Sequence, residues 1–183
     1  MAELTMTKEG DRVIIQPPVY PPFFHAVKRQ NRTLVENPLI ETEDGFVMEY
    51  ELLEEQAKTA KMLILSNPHN PVGRCWSREE LERLGDICMR NNVLVFSDEI
   101  HCDLVLPGFR HTPFASVRAD FAERCITAHA ASKTFNIAGL ATSSVIIPNG
   151  EMRARFEGYV HSLEVDLGNI FGKIATKAAM EKG

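Results

Sequence analysis

The sequence predicts a three-layer α/β/α domain built around a mostly parallel β-sheet. Short apolar runs alternate with segments of helix length along the chain, which is the order that βαβ units produce. The runs are apolar along their whole length, as expected for strands that are covered on both faces. With 183 residues, of which 44% are hydrophobic, the chain is long enough to bury one globular core. We therefore predict a single domain over residues 1–183.

The first sixty residues predict short elements separated by proline and acidic breaks. The polar residues 1–10 are expected to be frayed or the remnant of a helix, and a strand is predicted over residues 12–16. Pro17 and the prolines after it end this strand and fix an extended loop that carries Tyr20. The other predictions here are a helix over residues 23–30, a strand over 33–35, an acidic loop over 41–45 and a helix over 49–60.

Three apolar runs in the middle of the chain are predicted to be buried strands, namely residues 62–65, 93–97 and 125–128. Each is followed by a residue whose side chain could take part in binding or catalysis: Asn70, Asp98 and Lys133. Because the carboxyl ends of parallel strands open on one edge of the sheet, where ligands bind in open α/β folds, we expect these three side chains to converge. A lysine for covalent attachment, a carboxylate for a pyridinium nitrogen and an amide for a phenolic oxygen are what pyridoxal phosphate requires.

Each of these residues also has a purely structural alternative. Lys133 could simply be solvated at a strand end, although a lysine buried in so tight a segment would be costly without a partner. The small residues 130–132 leave room beside it for a flat, bulky group. Asn70 could bond its own backbone in a turn. Asp98 could cap a helix or a turn, but no helix pattern begins after it.

The remaining elements are helices and one more strand. Ser77 and Glu80 form a capping-box pattern that begins a helix reaching to Asn91, and its core face holds Leu81, Leu84 and Cys88. A short helix over residues 115–123, a strand over 142–147 and two tail helices separated near Gly168 follow. The tail carries two apolar stripes, which we interpret as core and interdomain packing: Met152, Phe156, Tyr159, Val160 and Leu163, then Leu167, Ile170, Phe171, Ile174 and Ala178.

The composition limits the classes of binding partner and the cellular compartment that the sequence predicts. A net charge of -5 argues against nucleic acid as a partner. No apolar run reaches membrane-spanning length and the first residues lack a signal-peptide pattern, so we expect a cytoplasmic protein that does not bind membranes. The four cysteines are scattered and form no CxxC pair, which favours reduced thiols over disulfides or zinc. We therefore predict no metal site.

Three motifs carry a resemblance to a known family: NPHNPVG at residues 67–73, SDEIH at 97–101 and SKTFNIAGL at 132–140. Each is a weak signal alone, but in this order and spacing they resemble fold-type I pyridoxal-phosphate enzymes of the class I/II aminotransferase superfamily. Within it, the chain is most similar to the cystathionine β-lyase-like carbon–sulfur lyases. The resemblance implies a pyridoxal-phosphate-dependent transferase-like large domain. Because enzymes of this family are much longer, it also implies a truncated chain that lacks the small C-terminal domain and the upstream phosphate loop.

The resemblance assigns roles to five residues. Lys133 would attach the cofactor and act as the catalytic base, and Asp98 would face the ring nitrogen. Asn70 and His101 would reach the cofactor's O3′, and Tyr20 would stack on its ring. His101 is typical of the lyase branch, where many aminotransferases carry tyrosine, but it could also be a packing histidine.

The phosphate contacts depart from the family pattern. A serine three residues before the lysine and a basic residue eight after it often serve the phosphate, and here those places hold Ala130 and Ala141. Ser132 is the one hydroxyl immediately before Lys133, so it is our candidate phosphate ligand.

The resemblance implies a homodimer that eliminates a thiol from a sulfur amino acid such as cystathionine, giving pyruvate and ammonia. Two alternatives stay open: a class I/II aminotransferase that moves an amino group to a 2-oxo acid, and a truncated remnant or interaction module without activity.

Overall fold

The computed structural model describes residues 1–165 and 168–183, and these form a mixed α/β fold. The strands are β1 (Arg12–Ile15), β2 (Thr33–Glu36), β3 (Ile40–Thr42), β4 (Gly45–Val47), β5 (Ala60–Ser66), β6 (Leu94–Asp98), β7 (Cys125–His129) and β8 (Ser144–Ile146). The helices are α1 (Ala2–Met6), α2 (Pro22–Arg29), α3 (Tyr50–Ala57), α4 (Arg78–Arg90), α5 (Phe114–Val117), α6 (Ala119–Ala122), α7 (Gly150–Ser162) and α8 (Ile170–Lys182), with a 3₁₀ turn at Ala138–Leu140.

Six strands form one sheet in the order β2-β1-β5-β6-β7-β8. All neighbours are parallel except β8, which runs antiparallel to β7. The register places Ser66, Asp98 and Ala128 side by side at the carboxyl ends of three adjacent strands. The mostly parallel sheet is thus confirmed, and its central strands end level with one another.

The sheet is covered by a separate apolar core on each face. On one face, Ile14, Leu63 and Leu65 pack with residues of α3, α4, α5 and α6. On the other face, Met62 and Ile64 pack with residues of α1 and α2 and with part of α7. Alternate residues of one strand therefore enter opposite cores, which explains the unbroken apolar runs in the sequence and confirms the three layers.

Helix α4 begins with the predicted capping box. The Ser77 hydroxyl accepts a hydrogen bond from the Glu80 N–H at 3.2 Å, and the Glu80 carboxylate accepts one from the Ser77 N–H at 2.8 Å. These two bonds satisfy N–H groups that would otherwise lack partners at the helix start. The predicted core face is confirmed, because Leu81, Leu84 and Cys88 are fully buried.

Three local predictions in the first two thirds of the chain are wrong. The acidic loop predicted over residues 41–45 is part of the β3–β4 hairpin: residues 41–42 end β3, residues 43–44 form the turn, and Gly45 begins β4 with a φ of +111°. The helix predicted to reach residue 60 ends at Ala57, because Ala60 already belongs to β5. The single helix predicted over residues 115–123 is divided into α5 and α6 by extended backbone at Arg118.

The two ends of the chain agree with expectation only in part. Residues 2–6 form a true helix, α1, in which Ala2 and Thr5 are buried. The two tail helices are confirmed, but no residue of α7 is fully buried. On α8, the side chains of Ile170, Phe171 and Ile174 are 62–72% exposed, so they are not part of a core of this chain. Leu167, which the sequence placed in the same stripe, lies outside the described residues.

None of the helices within residues 1–165 and 168–183 is both long enough and apolar enough to cross a membrane.

Candidate active site

A cleft of about 170 Å³ opens at the carboxyl edge of β5, β6 and β7. It is lined by Tyr20, Ser66, Asn70, Asp98, Ile100, His101, Ser132 and Lys133. The structure thus brings all six residues that the sequence singled out into one place. It adds Ser66 and Ile100, which sequence analysis did not name.

The loop after β5 is held by its own polar groups. The Ser66 hydroxyl accepts a hydrogen bond from the Asn70 N–H at 3.0 Å and donates one to the Pro68 carbonyl at 3.3 Å. The Trp76 indole N–H donates to the Ser66 carbonyl at 3.0 Å. Both the Asn67–Pro68 and the Asn70–Pro71 peptide bonds in this loop are cis.

The Asn70 side chain is free for a ligand. Within the described residues its amide makes no hydrogen bond, whereas its backbone N–H and carbonyl are both used. The alternative that the Asn70 side chain only satisfies a turn therefore has no bond to support it.

Tyr20 reaches the cleft from a separate loop. Its N–H donates to the Asn70 carbonyl at 3.0 Å, which ties the proline loop to the loop after β5. The Tyr20 and Phe23 rings pack edge to face, with their centroids 5.8 Å apart. Phe23 is buried but Tyr20 is 44% exposed, so one aromatic ring is anchored at its backbone and open to the cleft.

Asp98 ends β6 at the floor of the cleft and is partly buried. Burial raises the pKa of its carboxyl group, and a 3.3 Å hydrogen bond from the Ile100 N–H and the nearby His101 oppose that shift. The turn interaction expected of an aspartate at a strand end is therefore present. It occupies one carboxylate oxygen and leaves an incompletely solvated acid facing the cleft.

His101 stands beside Asp98 on the same turn. Burial lowers the pKa of its imidazole, with the Asp98 carboxylate acting in the opposite direction. The ring is therefore neutral near pH 7 and carries one N–H donor and one acceptor. Its ring nitrogens make no hydrogen bond within the part of the chain that the structure describes, which weakens the alternative of a satisfied packing histidine.

Lys133 lies in the turn that follows β7. Backbone bonds from Phe135 to Ala131 and from Ile137 to Ser132 close this turn. The Lys133 side chain is exposed, and it forms no ion pair or hydrogen bond with the described residues. The strand β8 that follows the turn is itself exposed at all three positions, so Lys133 is not enclosed between two core elements.

Sequence analysis also missed a buried acid next to Asp98. Glu99 accepts hydrogen bonds from the Ser97 hydroxyl at 2.8 Å and from the Phe114 N–H at 3.0 Å. Its other oxygen lies 3.0 Å from Nε2 of His111. This acid holds the loop before α5 against the end of β6, and its place in the SDEIH motif was the one signal available.

Comparisons with known proteins agree with this arrangement. The profile of the family described as "Aminotransferase class I and II" matches residues 1–160. The chain belongs to this family.

Among curated relatives, this family member is 46% identical over 185 residues to cystathionine beta-lyase PatB of Bacillus subtilis (strain 168), covering 100% of the chain and 48% of PatB. It is similar to cystalysin from Treponema denticola, whose crystal structure contains pyridoxal 5'-phosphate, with a TM-score of 0.90 and 40% identity over 100% of this chain and 47% of cystalysin. A PLP-bound C-S lyase from Staphylococcus hominis gives a TM-score of 0.92 and 35% identity over 100% of this chain and 46% of the lyase. The chain therefore spans about half the length of the proteins that it matches.

Proposed function

We propose that this chain forms the cofactor-binding half of a pyridoxal-phosphate-dependent carbon–sulfur β-lyase of the cystathionine β-lyase type. The observation that carries the proposal is the cleft in which Lys133, Asp98 and Asn70, from three different loops, meet. The identity of 46% to a cystathionine beta-lyase supports the lyase over other activities of the family. The products would be pyruvate, ammonia and a thiol.

The polar groups of the cleft fit this cofactor. Among the described residues, the Lys133 amine has no hydrogen-bond or ion-pair partner, and the Asn70 side-chain amide has no hydrogen-bond partner. Asp98 offers a carboxylate whose burial favours a positively charged neighbour. When bound, pyridoxal phosphate supplies an aldehyde that bonds amines and a ring that withdraws electrons from the substrate.

Lys133 would perform two tasks in this site. Its exposed amine would bond the cofactor in the resting protein and give way to the substrate amine. The freed amine would then take the proton from Cα of the substrate as a general base. The position in a turn, without an ion pair to break, leaves this side chain able to move between the two tasks.

Asp98, Asn70 and His101 would set the charge of the ring. The Asp98 carboxylate would hold a proton on the ring nitrogen, because a cation beside it offsets the cost of its burial. Asn70 would donate a hydrogen bond from its amide to the phenolic oxygen. His101, whose pKa is lowered, would offer a neutral N–H to the same oxygen.

Tyr20 and Ser132 would fix the position of the cofactor. The exposed ring of Tyr20, anchored through its N–H to the loop after β5, would stack on the pyridine ring. The Ser132 hydroxyl lines the cleft directly before Lys133 and is the phosphate ligand that we propose from this chain.

Attachment of the cofactor can be tested directly. The purified chain is incubated with pyridoxal phosphate, the adduct is fixed by borohydride reduction, and the modified peptide is identified by mass spectrometry. We expect modification at Lys133 that is lost in Lys133→Ala and kept in Lys61→Ala, an exposed lysine at the other end of β5. Modification spread evenly over the exposed lysines would contradict a cofactor site and would favour a remnant without activity.

The type of reaction is tested with cystathionine. A lyase forms pyruvate and a thiol from cystathionine alone. The family description favours aminotransfer as the second candidate, and an aminotransferase forms a keto acid only when a second 2-oxo acid is added. Product that depends on the second acid would overturn the lyase proposal and leave the cofactor site intact.

The proposal includes a homodimer in the cytoplasm. The exposed apolar side chains of Ile170, Phe171 and Ile174 on α8 support an interface, since patches of this kind are seldom left in contact with water. The four free cysteines support a reducing compartment. Sedimentation velocity would show the dimer, and a monomer at all concentrations would remove that part of the proposal.

A further inference from the structure

Three side chains that the proposed chemistry does not use come together beside the cleft. Cys102 and Asp103 lie in the turn after β6, and His129 is the last residue of β7. Their donor atoms all lie within 4.8 Å of one another. A separation of 26 residues along the chain hid this group from sequence analysis, which predicted no metal site.

The distances suit a small tetrahedral ion. Cys102 Sγ lies 3.6 Å from Asp103 Oδ1, and His129 Nε2 lies 3.7 Å from Asp103 Oδ2. Bonds to zinc are about 2.0–2.3 Å long, so two ligands on a tetrahedron are about 3.3–3.8 Å apart. Each of these two separations, which end on different oxygens of the Asp103 carboxylate, has the length that two ligands of such an ion require.

The surroundings also suit a bound cation. The Thr134 hydroxyl donates to Asp103 Oδ2 at 2.9 Å, which orients the carboxylate in the way that outer hydrogen bonds orient metal ligands. The Asp103 and His129 side chains are 44% and 20% exposed, so an ion can enter from solvent and keep a water as its fourth ligand. A thiol, an imidazole and a carboxylate together are a donor set that Zn²⁺ takes in proteins.

We propose that Cys102, Asp103 and His129 form a binding site for Zn²⁺ or a similar divalent ion. On binding, the thiol proton of Cys102 passes to solvent and a metal–sulfur bond forms. The ion would link the turn that carries His101 with the end of β7, and the hydrogen bond from Thr134 to Asp103 links the same turn with the one that carries Lys133. The site stands on these side chains alone and is independent of the proposed reaction.

The site is tested with Co²⁺, which takes the same ligands as Zn²⁺ and absorbs light when a thiolate is bound. The untagged chain is titrated with Co²⁺ in the absence of cofactor, and the near-ultraviolet sulfur-to-cobalt band is recorded. We expect a band that saturates at one ion per chain and disappears when Zn²⁺ is added. The band should be absent in Cys102→Ser and unchanged in Cys75→Ser, the other partly exposed thiol. No band, or the same band in Cys102→Ser, would overturn the proposal.

A second measurement guards against variants that fold poorly. Circular dichroism should give the same spectrum for Cys102→Ser as for the parent chain. Thr134→Val, which removes only the outer hydrogen bond, should weaken Co²⁺ binding about tenfold. Zn²⁺ should raise the midpoint of thermal unfolding of the parent chain and not that of Cys102→Ser. An equal rise in both would place the ion elsewhere and contradict the site.

Discussion

The two walls of the cleft are built differently. The wall after β5 is part of the core: Asn67 is fully buried, His69 is 2% exposed, and Ser66 bonds the loop from within. The opposite wall carries Lys133 on a turn followed by β8 and α8, whose apolar side chains are largely exposed. Burial and hydrogen bonds fix the first wall without any ligand. The second wall is held mainly by the backbone bonds of the turn and by the hydrogen bond from Thr134 to Asp103, and less by burial.

This difference can be tested by substituting alanine for one leucine in each region. Leu65 is fully buried in the first core, whereas Leu163 at the end of α7 is 46% exposed. We expect Leu65→Ala to lower the free energy of unfolding by about 2–5 kcal/mol and Leu163→Ala to change it by less than about 0.5 kcal/mol. Urea denaturation followed by circular dichroism measures both. Similar losses in the two variants would show that the C-terminal region is as well packed as the sheet.

A smaller effect is expected from the acid that joins β6 to the loop before α5. In Glu99→Ala, the Ser97 hydroxyl, the Phe114 N–H and His111 all lose their acceptor inside the protein. Such unsatisfied groups cost about 3 kcal/mol in total. Glu157→Ala, on the exposed surface of α7, is the matched control and should be nearly neutral. A neutral Glu99→Ala in the same urea assay would mean that water replaces these contacts.

The sequence predicted the core-held wall better than the exposed one. The apolar runs before Asn70 and Asp98 defined strands because each buries residues on both faces, and the level strand ends then followed from parallel pairing. The capping box at Ser77 was equally readable, since it is a local pattern. What could not be predicted was set by distant contacts. The periodicity of α8 shows an apolar stripe, but it does not show whether another protein chain covers that stripe.

The same limit applied to individual side chains. His69 lies in a recognised motif, yet its burial against Trp76, with ring centroids 5.7 Å apart, required the folded chain. Glu99 was overlooked because its partners come from residues 97, 111 and 114. The neighbouring site candidates, Asn70 and Asp98, could be picked out from the sequence, but the roles of His69 and Glu99 could not.

The last comparison of the two regions uses pH. Burial lowers the pKa of His69 to about 4, and the 3.2 Å hydrogen bond that its Nε2–H donates to the Gln16 carbonyl opposes this shift only in part. The unfolded chain takes up this proton near pH 6.5. Stability from His69 is therefore complete above pH 6.5, falls as the pH drops toward about 4, and is constant below that. The two pKa values differ by about 2.5 units, so the loss across this window should be at most about 3 kcal/mol.

The measurement is urea unfolding at several pH values between 4 and 8 for the parent chain, His69→Gln and His25→Gln. His25, which is exposed on α2, is the matched control. His69→Gln is expected to be less stable at pH 8, because it disturbs the contact with Trp76, but to lose less stability on acidification. The difference between the two curves separates the effect of protonating His69 from the effect of losing its contact with Trp76. If the parent chain and His69→Gln gave parallel curves, His69 would have nearly the same pKa in the folded and unfolded chains, and burial in the wall after β5 would not keep water from its ring.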